Sequence, residues 1–226
     1  MALVELTGVV KAYPGGVRAL DGVSCQIHSG ELLAIVGPSG SGKTTLLQIM
    51  GTLDRSTEGS VHVAGIDVAG ASDAELSALR AHRIGFVFQQ FHLLDGMSAR
   101  DNVAGGLLYS GLPLAERRER AALALQRVGL GHRLEHRPSE LSGGEKQRTA
   151  IARALAGAPS IVFADEPTGA LDSRTGASIV ELLRELGDAG TTIVVITHDA
   201  ALAASFPRQI AVRDGRIVED RAAVIQ

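Results

Sequence analysis

The run Gly37-Pro38-Ser39-Gly40-Ser41-Gly42-Lys43-Thr44 fits the pattern G-x-x-x-x-G-K-[ST], a loop that binds phosphate. The chemistry follows from the residue types. Glycines let backbone N–H groups curl around an anion, and the helix that comes next aims its positive end at the same point. Lys43 brings a mobile cation to the β- and γ-phosphates, and the Thr44 hydroxyl is a ligand for Mg²⁺. Lysine is scarce in this chain. Only Lys11, Lys43 and Lys146 are lysines among the 22 Lys+Arg residues, and the other 19 are arginine. The competing reading is an ordinary Gly-Ser loop. Context argues against it, because Leu32–Val36 reads as a buried strand entering the loop and Lys43–Met50 as a helix leaving it.

Ile161-Val162-Phe163-Ala164-Asp165-Glu166 supplies the second half of such a site. An apolar strand ending in two acids sets carboxylates at the C-terminal edge of a sheet, where α/β folds bind ligands. Asp165 suits Mg²⁺, which takes hard oxygen ligands. Glu166, one residue on, stands next to the γ-phosphate, to orient or deprotonate a water. Alone, an acidic pair after a strand reads as a solvated loop; the phosphate loop in the same chain decides between the two. A third anion-directed feature is Leu141-Ser142-Gly143-Gly144-Glu145. Its Ser-x-x-Glu spacing is a capping box that opens a helix through Leu155, with Ser142, Gly143 and Gly144 at the positive end. One chain thus carries two phosphate-directed helix starts.

Those residues need elements to hold them. Residues 4–6 and 20–27 read as short strands around the turn Pro14-Gly15-Gly16, and residues 61–64 as another, ending at Gly65. Ser72-Asp73-Ala74-Glu75 is a further capping box and predicts a helix to about His82. Residues 84–88 read as a strand. From about Phe91 to Ala158 the strand signals vanish, and residues 114–128 read as a helix with Glu116 and Arg120 four apart. Strands return at 161–164, 191–197 and 209–212. Between them Ile179, Leu182, Leu183 and Leu186 share one helical face, and Asp214-Gly215 marks a hairpin turn. The expected class is α/β: a core interrupted by a helical insertion. The expected bounds are one domain over residues 1–226, with the nucleotide-binding core in 1–90 and 159–226 and the helical subdomain in 91–158.

Composition narrows the function class. A net charge of −3 over 226 residues gives no basic footprint, so no nucleic-acid partner is expected. The single cysteine, Cys25, cannot close an internal disulfide, which fits a reducing compartment. The first residues lack the basic-then-apolar shape of a secretion signal, and no run of eighteen apolar residues occurs, so any membrane role is expected to come through partners. His132 and His136 are four apart, but no third ligand is near, and a solvated helix end is the expectation there.

The phosphate loop, the Asp165-Glu166 pair and the Leu141–Glu145 signature together resemble the ABC ATPase family over nearly the whole chain. Glu145 stands where glutamine is commoner, a variant the family also uses. The resemblance implies ATP and Mg²⁺, and an α/β fold in which a phosphate-loop NTPase core carries an N-terminal antiparallel β-subdomain and an inserted α-helical subdomain. It places Gly37, Ser39, Gly40, Ser41, Gly42, Lys43, Thr44 and Thr45 around the phosphates, and Tyr13 against adenine. Thr44, Gln89 and Asp165 are implied at the metal. Gln89 is preferred to Gln90 because the family sets its glutamine directly after the strand. Glu166, His198 and Gln89 are implied in catalysis. Ser142, Gly143, Gly144 and Glu145 are implied to cover the nucleotide of a second copy, with Asp172, in Gly169-Ala170-Leu171-Asp172, on the loop that crosses that interface. Tyr13 as a plain surface aromatic and His198 as a core or loop histidine are the competing readings.

Within that family, Gly51-Thr52-Leu53-Asp54, the stretch from Phe86 to Leu94 and the stretch from Asp165 to Asp172 are similar to the macrolide-exporter and lipoprotein-release branch. The resemblance implies an ATP-hydrolysing subunit that drives an integral membrane permease through ATP-dependent dimerisation, at the cytoplasmic face of the membrane. A sequence ending at Gln226 is expected to carry no added regulatory domain. Substrate identity would reside in the permease. A regulatory ATPase signalling through a membrane partner to cell-wall hydrolases would share the same motifs. Phe91, His92, Leu93 and Leu94 either pack within the helical insertion or line a groove for the permease, and the sequence leaves both readings open.

Overall fold

A computed structural model describes residues 2–222. The chain divides into two compact units. One holds the described residues up to Ser77 and from Gly187 onward, and the other is Ala78–Leu186.

In the first unit, strands β1 (Ala2–Ala12), β2 (Arg18–His28), β4 (Glu58–Val63) and β5 (Ile66–Asp67) form an antiparallel sheet in the order β2-β1-β4-β5. Val4, Leu6, Leu20, Val23, Ile27, Val61 and Val63 are buried from it. The sequence pattern marked only residues 4–6 of β1. The reason is a register shift between Leu6 and Val9, where Gly8 takes a φ of 58° and breaks the alternation. The Gly8 amide donates instead to Ser24 Oγ at 2.8 Å.

The same unit contains β3 (Leu32–Val36), which pairs in parallel with β8 (Thr192–Thr197) and β9 (Arg208–Arg213); β10 (Arg216–Ala222) closes antiparallel on β9. β3 and β8 are almost continuously buried, as parallel strands covered on both faces must be. The β9–β10 turn has Asp214 at φ 50° and Gly215 at φ 73°, the double left-handed geometry of a tight hairpin. Three helices belong with these strands: α1 (Lys43–Met50), the start of α2 (Asp73–Arg83), and α7 (Ala200–Ala203), a single turn capped by Asp199. The capping box at α2 is present, with the Ser72 amide donating to Glu75 Oε2 at 2.8 Å.

In the second unit, β6 (Ile84–Val87) and β7 (Ile161–Asp165) are parallel neighbours. Helices α3 (Ala99–Gly105), α4 (Leu114–Arg127), α5 (Gly143–Leu155) and α6 (Ser173–Asp188) account for most of the rest. The tract without strand signals is helical as expected, and Arg120 meets Glu116 at 2.7 Å on α4. Ile179, Leu182, Leu183 and Leu186 are all buried on one face of α6. α5 lies so close to β6 that a Cβ on Gly85 would stand 2.6 Å from Ala154 O. α3 escaped the sequence reading because seven residues are too few to show a period. Its start is nevertheless capped, with Ser98 Oγ accepting from the Asp101 amide at 3.1 Å.

His132 and His136 do not sit at a helix end. α4 stops at Arg127, and both histidines fall in the turns that follow, where His136 Nε2 lies 2.9 Å from an Arg133 guanidinium nitrogen. Gly129, at φ 79°, follows the C-cap Val128 and ends the helix within a residue of the expected bound.

Candidate functional site

The phosphate loop leaves β3 and enters α1, as its spacing requires. Lys43 is 93% removed from solvent by the loop around it, and its Nζ donates to the carbonyls of Gly37 and Pro38, each at 2.8 Å. The glycines are needed as glycines. A Cβ on Gly37 would fall 2.1 Å from Val212 O, and Gly42, at φ 101°, would clash with Ala19 O at 2.3 Å. Ser41 Oγ is buried with no hydrogen-bond partner among the described residues. Thr44 and Thr45 open α1, with Thr44 exposed. The hairpin turn has a second task that the sequence did not disclose. The Gly215 amide donates to Ser41 O at 3.0 Å, while Gly215 O accepts from the Asp21 amide at 2.9 Å, so the β9–β10 turn buttresses the loop.

Register places His198. Val36 and Thr197 are paired across β3 and β8, so Gly37 and His198 leave neighbouring parallel strands side by side at their C-terminal edge. His198 is exposed there.

Tyr13 stands on a platform that sequence reasoning missed. The residue is 37% exposed in a turn closed by the Tyr13 amide on Val17 O at 2.9 Å. Lys11 Nζ lies 5.2 Å from the ring centroid and is held by Asp54 Oδ1 at 2.7 Å and Arg55 O at 2.8 Å. The Tyr13 hydroxyl approaches Asp54 Oδ2 at 3.4 Å. Burial acts to raise the Asp54 carboxyl, but Lys11 and the Arg55 amide outweigh it and hold the group below the usual range. The available signal was the period-two spacing of Lys11 and Tyr13 in a lysine-poor chain.

In the second unit the pairing of Val87 with Ala164 puts Gln89 and Glu166, each two residues on, at one edge of β6 and β7, just past Asp165. Glu166 takes a φ of 45°, a left-handed conformation that a residue with a side chain adopts at a cost of about 1–3 kcal/mol. Gln89 reaches the next loop, where a Cβ on Gly169 would sit 2.9 Å from its Nε2. Gln147 of α5, fully buried, donates to Pro167 O at 2.8 Å.

The signature forms the helix start its spacing promised. Ser142 caps α5, the Ser142 amide donates to Glu145 Oε2 at 2.8 Å, and the Glu145 amide reaches Ser142 Oγ at 3.3 Å. The bond from the Ser142 amide draws the Glu145 carboxyl below its ordinary range, with nearby Arg133 adding to it. A Cβ on Gly143 would meet Leu171 Cδ2 at 3.2 Å, and one on Gly144 would meet Thr175 Cγ2 at 2.6 Å, so these glycines allow Leu171 and the first turn of α6 to lie against the signature. Asp172 caps α6, accepting from the Thr175 hydroxyl at 2.6 Å and the Thr175 amide at 3.0 Å. Residues 91–94 divide between the two readings left open by their sequence. Phe91 and Leu93 are half-buried, and Arg153 donates to the carbonyls of Phe91 and His92, whereas Leu94 is 60% exposed and Met97 44%.

Residues 20–169 match the ABC transporter family, and the chain belongs to it. It is 52% identical over 222 residues to the macrolide export ATP-binding/permease protein MacB of Nitrosomonas europaea, covering 96% of this chain and 34% of that protein. It is 50% identical over 224 residues to the pyoverdine export ATP-binding/permease protein PvdT of Pseudomonas aeruginosa, covering 97% and 34%. The chain therefore spans about a third of the length of these relatives. Among solved structures, the dimeric ATP-binding cassette MJ0796 in a post-hydrolysis state, bound to ADP and Pi, is 43% identical with a TM-score of 0.85, covering 97% of this chain and 98% of that one. The cbiO1 protein from Clostridium perfringens, part of the cbiONQ transporter complex, is 30% identical with a TM-score of 0.89, covering 98% and 88%.

Proposed function

We propose that this chain binds and hydrolyses ATP as the motor of an ABC exporter, closing on a second copy of itself around nucleotide. The observation that carries the proposal is Lys43, whose ammonium is held by two carbonyls inside a glycine loop beside the buried Ser41 hydroxyl. An anion in that loop takes over the cation, and the amides freed by glycine converge on the same phosphates. Thr44, Asp165 and Gln89 offer the hard oxygen set that Mg²⁺ takes, and the ion, when bound, neutralises charge between the β- and γ-phosphates. Glu166 orients and deprotonates the attacking water. His198, leaving β8 beside Gly37, holds the γ-phosphate in line. Tyr13 stacks on the base, and Ser142, Gly143, Gly144 and Glu145 cap the nucleotide held by the second copy, with Asp172 fixing the loop beside them.

The named relatives are export ATP-binding/permease proteins. On that likeness, closure drives a membrane permease, through a surface that includes Leu94 and Met97, at the cytoplasmic face of the membrane. Among the described residues no helix is long and apolar enough to cross a bilayer. The helical subdomain at residues 91–158, with the core in 1–90 and 159–226, is the division of labour we assign.

Calorimetric titration with Mg-ATP tests the reading. Lys43→Ala is expected to abolish tight binding while the folded state persists, and unchanged affinity would overturn the assignment.

A further inference from the structure

Glu145 poses an electrostatic problem. A carboxylate in the first turn of α5 favours the helix itself, because it answers the positive end of the macrodipole. Yet this helix start is the one assigned to receive a phosphate from the second copy. A full negative charge there cancels the helix end and repels the ligand. The capping bond adds to the difficulty, because Glu145 Oε2 already accepts from the Ser142 amide at 2.8 Å. That leaves the amides of Gly143 and Gly144, for which the helix provides no acceptor, and the Ser142 hydroxyl.

Arg133 answers this charge. Its Nε lies 2.9 Å from Glu145 Oε1, on the carboxylate oxygen that the capping bond does not use. The two side chains are 35% and 22% exposed, so water screens the pair only in part. The guanidinium is not free to wander. A second nitrogen lies 2.9 Å from His136 Nε2. The turn carrying it is tied by the Arg133 amide on Leu130 O at 2.9 Å, by the Ala99 amide on His136 O at 2.7 Å and by the Arg100 amide on Leu134 O at 2.9 Å.

We propose that Arg133 is a positioning residue for the ATP-dependent dimer: it neutralises Glu145, so that the start of α5 receives the γ-phosphate bound to the second copy. The inference rests on the reading that ATP is shared between two chains. It makes a charge-specific claim that a loop staple would not. Removing Arg133 exposes the Glu145 charge, whereas replacing Glu145 with the neutral isostere removes the need for Arg133.

The experiment measures the ATP concentration at which half the protein is dimeric, by light scattering, in the Glu166→Gln background that blocks turnover. Arg133→Ala is expected to raise this concentration by roughly tenfold, a partly buried charge near a helix end. Adding Glu145→Gln to Arg133→Ala is expected to return it to the value of Glu145→Gln alone. If Arg133→Ala leaves dimerisation unchanged, or if the double variant stays as weak as Arg133→Ala, the proposal is overturned and Arg133 is at most a prop for its turn. If the Glu166→Gln protein does not dimerise with ATP at all, the shared-site reading fails first and takes the proposal with it.

Discussion

The side-chain amide of Gln147 donates to Pro167 O at 2.8 Å, and Gln147 is wholly buried. This bond joins the signature helix α5 to the residue that follows Glu166, whose backbone is held at φ 45°. The bond ties the first turns of α5 to the segment that carries the carboxylate proposed to act on water. Gln147→Leu leaves the Pro167 carbonyl without its donor, at a cost of about 1–3 kcal/mol. The expected result is a lowered melting temperature together with a fall in kcat of around tenfold, with KM for ATP little changed. A destabilised protein with full kcat would reduce Gln147 to a packing residue.

Glu166→Gln keeps size and shape and removes only the basic carboxylate. ATP binding is expected to stay intact while turnover falls by about 10²–10⁴, the usual span for acid–base catalysis. His198→Ala is expected to fall steeply as well, since it removes the contact to the γ-phosphate that we propose for it. Phosphate release measured at saturating ATP decides both; parental turnover in Glu166→Gln would take the base away from that residue.

The parts legible in the sequence were those whose chemistry is local. The phosphate loop, both Ser-x-x-Glu capping boxes and the Asp-Gly hairpin are each set by a few neighbouring residues, and the structure has them where the spacing placed them. β1 was read short because the bulge at Gly8 erases alternation, and α3 was missed because it is only two turns long. What could not be read was long-range. Nothing in the local pattern says that Gly215 braces Ser41, that Asp54 anchors Lys11 beside Tyr13, or that Arg133 finds Glu145. Such contacts depend on register and on loop paths that no period encodes.

Leu94 is 60% exposed although its backbone is pinned, its amide donating to Asn102 Oδ1 at 2.7 Å. Leu94→Glu is expected to change stability by no more than about 0.5 kcal/mol, as an exposed substitution should. Basal ATPase is expected to persist, and stimulation by the permease to be lost. A clear drop in melting temperature would instead assign Leu94 to packing within the unit.

Cys25 is buried, and burial pushes its thiol up to about 12. An unfolded cysteine ionises near 8.5. The folded state thus keeps a proton that the unfolded state gives up. The resulting stability is fully present below about pH 8.5 and is lost as pH rises toward 12, at about 1.4 kcal/mol per pH unit. Denaturant midpoints followed across pH 8–10 are expected to fall more steeply for the parent than for Cys25→Ala. The native thiol is also expected to resist a disulfide reagent at pH 8 and react on unfolding. Equal slopes and rapid native labelling would contradict the buried, neutral thiol.

The central claim is that each ATP is held by two chains, with residues 37–44 of one and residues 142–145 of the other. Lys43→Ala removes the cation of the phosphate loop, and Ser142→Arg fills the opposing helix start, so each homodimer is expected to be inactive. A mixed dimer has one site with both lesions and one with none. The measurement is the ATPase rate of the two variants combined in equal amounts. Partial recovery of activity is predicted for the mixture, with none in either variant alone. A mixture as inactive as its components would contradict the shared site.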